Sequence, residues 1–214
     1  MVEDEVQGSK IDDLIASRKS NLEKLATKGI EIFPYSFNPN FLSIDLHKRF
    51  APKLAAGEHT HEKAVVAGRV MSKREFGKLY FLVLQDAKGR IQISISQSDA
   101  DKESFEITDF VDVGDFIGVD GVIIKTKKGE LSVLAKKVTF LSKALNPLPE
   151  KWHGLTDVET RYRKRHLDLI MNPGLKEVFA KRAKVISLVR QFLEKNGFLE
   201  VETPTLQQNY GGAN

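Results

Sequence analysis

The residues best suited to chemistry lie on short segments rich in valine, isoleucine and leucine, where strand alternation sorts side chains between two faces. Segment 90–96 buries its three isoleucines on one face and therefore directs Gln92 outward. The same alternation directs Phe81 out of the preceding segment and Arg69 out of segment 64–71. One outer surface would then carry a cation, an aromatic ring and an amide. An unstacked nucleic-acid base could stack on the ring while the amide reads its edge and the guanidinium holds phosphate or ribose.

A purely structural interpretation of the same residues stays open at this point. Phe81 could pack beneath an N-terminal helix, with Arg69 and Gln92 simply solvated, and the residues alone favour neither interpretation. The basic turn at 125–128 could contact phosphates, although lysine-rich hairpin tips are usually only solvated. The basic run at 161–166 is either a contact for RNA or an acidic partner, or a solvated helix face.

Other kinds of chemistry find little support in the sequence. His59 and His61 lack the accompanying ligands of a zinc site, so we expect no metal. Glu200 and Glu202 fall on one strand face, but nothing near them suggests glycoside or acyl-transfer chemistry. The phosphate-binding glycine loop, the dinucleotide fingerprint and the nucleophile–histidine arrangements are missing too. We therefore predict no catalytic residue in this chain.

Composition and charge narrow the class of protein further. The 214 residues are 41% hydrophobic and 29% charged, with a net charge of +4, which permits a nucleic-acid partner without establishing one. No apolar run approaches the length of a membrane span, and the first ten residues are polar and acidic, unlike a secretory signal. The sequence has no cysteine. We expect a cytoplasmic protein that makes no use of a membrane.

The hydrophobic pattern predicts the elements that position this outer surface. An amphipathic helix, with Ser9 as its cap, is followed by a shorter helix; short strands and one polar helical insert come next. The expected ranges are helices 11–25, 43–54 and 98–110 and strands 64–71, 79–85, 90–96, 116–124 and 131–140. Three strands, a helix and two strands is the order of an OB-fold, a five-stranded Greek-key barrel. A generic small β-barrel is the alternative.

A proline-rich connector separates this barrel from a second, mainly helical region. Pro147 and Pro149 resist helix and strand alike. Beyond them, Thr156 with Glu159 has the spacing of a capping box. A long amphipathic helix and a strand follow, so the fold class is α+β. We predict a helical and barrel domain at 1–145 (barrel about 64–142), a hinge at 146–160, and a second domain at 161–214, with its long helix at 175–195 and its strand at 198–203.

The sequence around the connector resembles a known family. Residues 147–155 (PLPEKWHGL) and 160–169 (TRYRKRHLDL) closely resemble the hinge and linker of class II lysyl-tRNA synthetases. Residues 179–204, ending in GFLEVETP, look like motif 1 of class II enzymes, a long helix and strand that close with a proline. Segments 14–25 and 126–132 are also similar to this family. The resemblance covers essentially the whole chain.

The resemblance assigns roles to individual residues. In this family an outward aromatic ring stacks on the central anticodon base, with an arginine and a glutamine around it; Phe81, Arg69 and Gln92 match that pattern, and Glu130 matches a glutamate near another anticodon base. Gly211 and Gly212 match backbone glycines that approach the lysine substrate, although Tyr210 stands where a proline is usual. Motif 1 forms the homodimer interface in the family, and its matching residues here are Phe179, Ile186, Val189, Phe192 and Pro204.

The resemblance also implies what the full-length enzyme does. Its relatives use ATP and Mg²⁺ to activate L-lysine and then transfer it to tRNA(Lys). Motifs 2 and 3, which bind ATP, Mg²⁺ and lysine, are not among these residues, so we expect a portion of such an enzyme that binds no cofactor and is inactive alone.

Other interpretations of the sequence remain. Aspartyl and asparaginyl enzymes share the plan, but the connector, segment 153–155 and the closing 211–213 favour the lysyl branch. A stand-alone OB-fold RNA-binding module is the main alternative in another class, and an assembly protein that dimerises through motif 1 is a third. The long apolar helix stripe argues against the stand-alone module because it would be left exposed without a partner.

Overall fold

The computed structural model describes residues 2–149, 155–206 and 211, with side chains from residue 11 onward. The chain divides into two compact units, Met1–Leu148 and Pro149–Asn214. Their elements, in chain order, are α1 (Val2–Thr27), α2 (Ser43–Phe50), β1 (His59–Phe76), β2 (Leu79–Gln85), β3 (Arg90–Ser96), α3 (Lys102–Phe110), β4 (Phe116–Lys125), β5 (Leu131–Ser142), α4 (Val158–Arg163), α5 (Arg165–Met171) and α6 (Pro173–Lys195).

The first unit is a closed five-stranded barrel. Its strands follow one another around the barrel in the order β1, β2, β3, β5, β4, and α3 connects the third strand to the fourth. All neighbouring strands are antiparallel except β3 and β5, which run parallel. This is the arrangement that the order of elements in the sequence predicts, and it confirms the OB-fold.

The barrel interior is filled by the alternate apolar side chains of every strand. Leu82 of β2, Ile93 of β3 and Phe140 of β5 are almost completely removed from water. Leu25 of α1 and Leu46 of α2 join the same core, so both helices are packed against the barrel. Burial of this kind contributes about 25 cal/mol for each Å² of apolar surface, and it is what holds the two helices to the sheet.

Strand β1 is longer than the sequence predicts and contains an irregularity. The pairing of β1 with β2 skips one residue between Val70 and Ser72, so Met71 is an extra residue in this strand. Val70 and Met71 are both buried. Such a β-bulge shifts the alternation of the strand by one residue. Before Met71 the odd-numbered side chains of β1 point outward. Beyond Met71 the even-numbered side chains point outward instead.

A buried ionic cluster fastens the end of the barrel. The Lys143 ammonium donates to Asp112 (2.5 Å) and Asp115 (2.7 Å), and the side chains of Lys143 and Asp115 are fully buried. Burial raises the pKa of Asp115 in spite of this bond. Burial opposes ionisation of Asp112 as well, but hydrogen bonds from Lys143 and Asn21 bring the pKa of Asp112 below its usual value.

Several predicted helix ends differ in the structure. Helix α1 begins at Val2, so Ser9 lies inside the helix instead of capping it. Helix α4 is capped by Asp157, whose carboxylate accepts a hydrogen bond from the Thr160 amide (2.7 Å), and not by Thr156. Asp is as good a cap as Thr, so the capping residue in the sequence was ambiguous by one position.

The second unit is built around one buried carboxylate and exposes its long helix. Asp168 accepts hydrogen bonds from Arg161 (3.1 Å), Arg165 (2.6 Å) and Asn172 (2.6 Å). No residue of α6 is buried. Residues 198–204 form no strand, contrary to the sequence prediction, because the described part of this unit offers no second strand with which they could pair. In the parts of the chain that are described, no helix combines the length and apolar character needed to cross a bilayer.

Candidate nucleic-acid interface

An open cleft of about 680 Å³ lies on the outer face of the barrel. It is bounded by β1 beyond its bulge, by β2 and β3, and by the turn that joins β4 to β5. A cleft of this volume is in the range of small-ligand sites in proteins. Its lining residues are Ser72, Arg74, Phe76, Phe81, Val83, Gln92, Thr126, Lys127, Lys128 and Glu130.

The regular pairing of β2 with β3 forms the floor of the cleft. Val83 lies opposite Gln92 and Phe81 lies opposite Ser94, so these side chains share one face of the sheet. The Phe81 ring stands edge-on to the ring of Phe76, with 6.0 Å between centroids and 70° between planes. The alternative in which Phe81 packs beneath the N-terminal helix is therefore wrong, because the ring lines an open cleft.

Gln92 is held in place from one side. Its amide nitrogen donates to the Ser132 hydroxyl (2.9 Å), and this hydroxyl donates onward to the Glu130 carbonyl (3.3 Å). Because Ser132 is fully buried, the hydrogen bond fixes one end of the Gln92 amide. The amide of Gln92 is thus held in one place on the lining of the cleft.

The β4–β5 turn forms a charged rim. The Thr126 amide donates to the Glu130 carbonyl (2.9 Å), and the turn closes at Gly129, whose φ of 85° suits glycine best. Lys127, Lys128 and Glu130 are exposed on this rim. Lys125 has a different place, since its ammonium donates to two backbone carbonyls that follow α2 (2.9 and 3.0 Å). Only part of the basic turn is therefore available to a ligand.

Arg69 does not lie in the cleft, in contrast to the sequence prediction. Its guanidinium donates to the Gly114 carbonyl (2.9 Å) and lies over the Phe116 ring, 4.3 Å from the centroid. Burial lowers the pKa of Arg69. The arginine that lines the cleft is Arg74, which lies directly opposite Phe81 in the pairing of β1 with β2. Sequence reasoning missed Arg74 because the bulge at Met71 changes which side chains face outward.

The remaining predicted sites lie in the second unit. The four residues predicted on the motif 1 helix are all exposed: Phe179 (42%), Ile186 (44%), Val189 (53%) and Phe192 (66%). Pro204 and Gly211 are exposed as well. Tyr210 and Gly212 lie outside the described residues.

The basic run at 161–166 is partly structural. Arg161 and Arg165 are bound to Asp168, and Arg165 also lies over the rings of Tyr162 (4.6 Å) and Phe179 (5.6 Å). Two of its cations are therefore engaged within the unit, which reduces the charge that the run offers to a partner.

Comparison with known proteins identifies the class to which this fold and cleft belong. Residues 64–141 match the family model for the OB-fold nucleic acid binding domain of the tRNA anticodon type, and residues 157–214 match that for class II tRNA synthetases of the D, K and N group. The chain thus combines an OB-fold nucleic-acid-binding domain with a segment of the class II tRNA synthetase type.

The individual relatives of this chain are lysine–tRNA ligases. The lysine–tRNA ligase of Lactococcus lactis is 47% identical over 95% of this chain and 42% of the relative. The lysine–tRNA ligase of Streptococcus suis is 46% identical over 95% of this chain and 41% of the relative. That of Dehalococcoides mccartyi is 44% identical over 94% of this chain and 40% of the relative. The chain belongs to the lysine–tRNA ligase family, and it spans about two-fifths of the length of these curated relatives.

Proposed function

We propose that the barrel binds the anticodon of tRNA(Lys) and that the chain serves this recognition within a lysine–tRNA ligase. The observation that carries the proposal is the cleft itself, in which the Phe81 ring is flanked by the anchored amide of Gln92 and by Arg74. We also infer that the chain acts in the cytoplasm.

Each side of the cleft has a distinct part in the proposed binding. A base that is unstacked from its neighbours gains a stacking surface on Phe81, and the fixed amide of Gln92 meets its hydrogen-bonding edge. Arg74 on one wall and Lys127 and Lys128 on the other are suited to phosphates, which contribute affinity without reading sequence. Glu130, an acceptor on the same rim, is suited to the amino or imino groups of a second base.

The catalytic steps belong to the full-length enzyme. We infer that it joins L-lysine to tRNA(Lys), the reaction that the name lysine–tRNA ligase of its relatives describes, and that it uses ATP and Mg²⁺ to do so. Within the described residues, no group of His, Cys, Asp or Glu side chains could hold a metal ion. We therefore assign none of the described residues to a Mg²⁺ site or to a step of the reaction. Gly211 and Gly212 stay a prediction for the edge of the lysine site.

We also propose that α6 mediates homodimerisation. Its apolar side chains at Phe179, Ile186, Val189 and Phe192 are exposed, although residues of these types are usually buried. A second copy of the same helix would remove them from water, with Pro204 at the edge of the contact. Sedimentation of the chain across a concentration series measures this association directly.

Binding of an RNA hairpin tests the anticodon proposal. We expect the 214-residue chain to bind a lysine-anticodon stem-loop, and Phe81→Ala to weaken that binding by about 1–3 kcal/mol because one stacked base is lost. Replacing the central uridine of the loop should have an effect of similar size. Phe33→Ala is the matched control, since Phe33 is 60% exposed but lies outside the cleft. Equal binding by all variants, with only a steep salt dependence, would instead indicate a non-specific RNA surface.

A further inference from the structure

A second aromatic ring in the cleft has no part in the function proposed so far. Phe76 is the last residue of β1, and 62% of its surface is exposed. It lies on the outer face because the bulge at Met71 shifts the alternation of β1. Its backbone is held by pairing with Leu79 and by the tight turn at Gly77, whose φ is 60°. The ring is therefore presented to solvent from a fixed point of a short hairpin.

The orientation of the two rings decides what they can bind. The planes of Phe76 and Phe81 meet at 70°, with 6.0 Å between their centroids. A single flat base cannot lie parallel to both rings, so the two faces are suited to two different bases. The cleft volume of about 680 Å³ leaves room for more than the one base stacked on Phe81.

A second groove lies near the β1–β2 turn that follows Phe76. A smaller groove of about 360 Å³ is lined by Lys78, Gln97 and Ser98. Lys78 and Gln97 extend the pairing of β2 with β3 by one step beyond Leu79 and Ser96, and the backbone N–H of Gln97 donates to the Lys78 carbonyl (3.1 Å). A polynucleotide that crosses the cleft and leaves past Phe76 would thus meet a cation and polar side chains, which are groups suited to its backbone.

We propose that Phe76 is a second stacking surface, which takes the nucleotide next to the one on Phe81, with Lys78 beside the phosphate that follows. The face then binds two consecutive bases that are turned away from each other, a conformation open to a single-stranded loop but not to a duplex. This inference rests on the proposed function, because it requires RNA to be the ligand of the cleft. The competing view is that Phe76 only supports the ring of Phe81.

An abasic scan of the stem-loop separates these views. In each RNA one loop base is removed while the backbone is kept, and binding to the unaltered chain, to Phe76→Leu and to Phe81→Leu is measured. Leucine keeps an apolar group at each position but offers no flat ring. Phe76 is mostly exposed, so the variant should fold, and thermal unfolding of each variant checks this.

We expect two neighbouring loop positions at which removal of the base weakens binding about fivefold or more. Phe81→Leu should abolish the sensitivity at one of them and Phe76→Leu at the other. If only one position responds and both variants act on it, Phe76 merely supports Phe81 and the inference is wrong, while the anticodon proposal stands. If neither variant changes the response at any position, both proposals are wrong.

Discussion

The two units of this chain use similar apolar residues in opposite ways. In the first unit these residues fill a closed barrel, where Leu82 and Ile93 are completely buried. In the second, α6 has residues of the same types at helical spacing, yet none of them is buried. Hydrophobic spacing therefore predicts an element and its apolar face, but it does not predict what covers that face.

The buried carboxylates of the two units also differ in how far their cationic partners are exposed to water. Asp115 in the barrel is paired with Lys143, which is as completely buried as Asp115 itself. Burial raises the pKa of Asp115. The partners of Asp168 keep 29% and 36% of their side-chain surface exposed, and a hydrogen bond from Asn172, together with the arginines, lowers the pKa of Asp168. The first carboxylate belongs to an interior, whereas the second belongs to a cluster whose cations still contact water.

The largest effect should come from breaking the buried ion pair of the barrel. We expect Lys143→Met to lower the free energy of unfolding by about 4 kcal/mol, because it leaves Asp115 buried without a cation. Lys136→Met is the control: it removes a cation from the surface pair with Asp99 (3.1 Å) and should cost less than about 1 kcal/mol. Urea unfolding followed by circular dichroism measures both. Equal losses in the two variants would mean that Lys143 is no more important than a surface lysine.

A matched pair of aliphatic residues tests the contrast between core and exposed helix. Leu82→Ala should cost about 3 kcal/mol of stability because it leaves a cavity in the barrel. Ile186→Ala should change the stability of the single chain by less than about 0.5 kcal/mol, since Ile186 is exposed. The same variant should weaken self-association by about tenfold or more in sedimentation, because a buried apolar side chain is worth about 1.5–3 kcal/mol. Unchanged self-association would contradict the dimer proposal at this helix.

The sequence predicted much of the barrel and part of the cleft, for identifiable reasons. Strands β2 and β3 were predicted with the bounds they have in the structure, because both alternate regularly and end at turn residues. Phe81 and Gln92 lie on these strands and were correctly expected to share an outer face. Alternation is a local property, so it holds wherever a strand is regular.

The part that sequence did not predict depends on contacts between distant residues. Both ends of β1 are polar, so the hydrophobic pattern does not predict them as strand. They form strand because they pair with β4 and β2. The signal for the bulge was present in the adjacent apolar residues Val70 and Met71, which break the alternation. That signal identifies an irregularity, but the pairing with β2 is needed to show that Arg74 faces the cleft and that Arg69 does not.

The smallest expected effect separates these two arginines. Arg74→Met should weaken binding of the stem-loop by about fivefold and reduce the slope of log K against log salt by about 0.7–0.9, because one phosphate contact is lost. Arg69→Met should leave both quantities unchanged, since the Arg69 guanidinium is engaged with Gly114 and Phe116. Both variants remove the same charge from the same strand, so a general loss of positive potential would affect them equally. If Arg69→Met changed the salt slope and Arg74→Met did not, the outer face assigned to the RNA would be the wrong one.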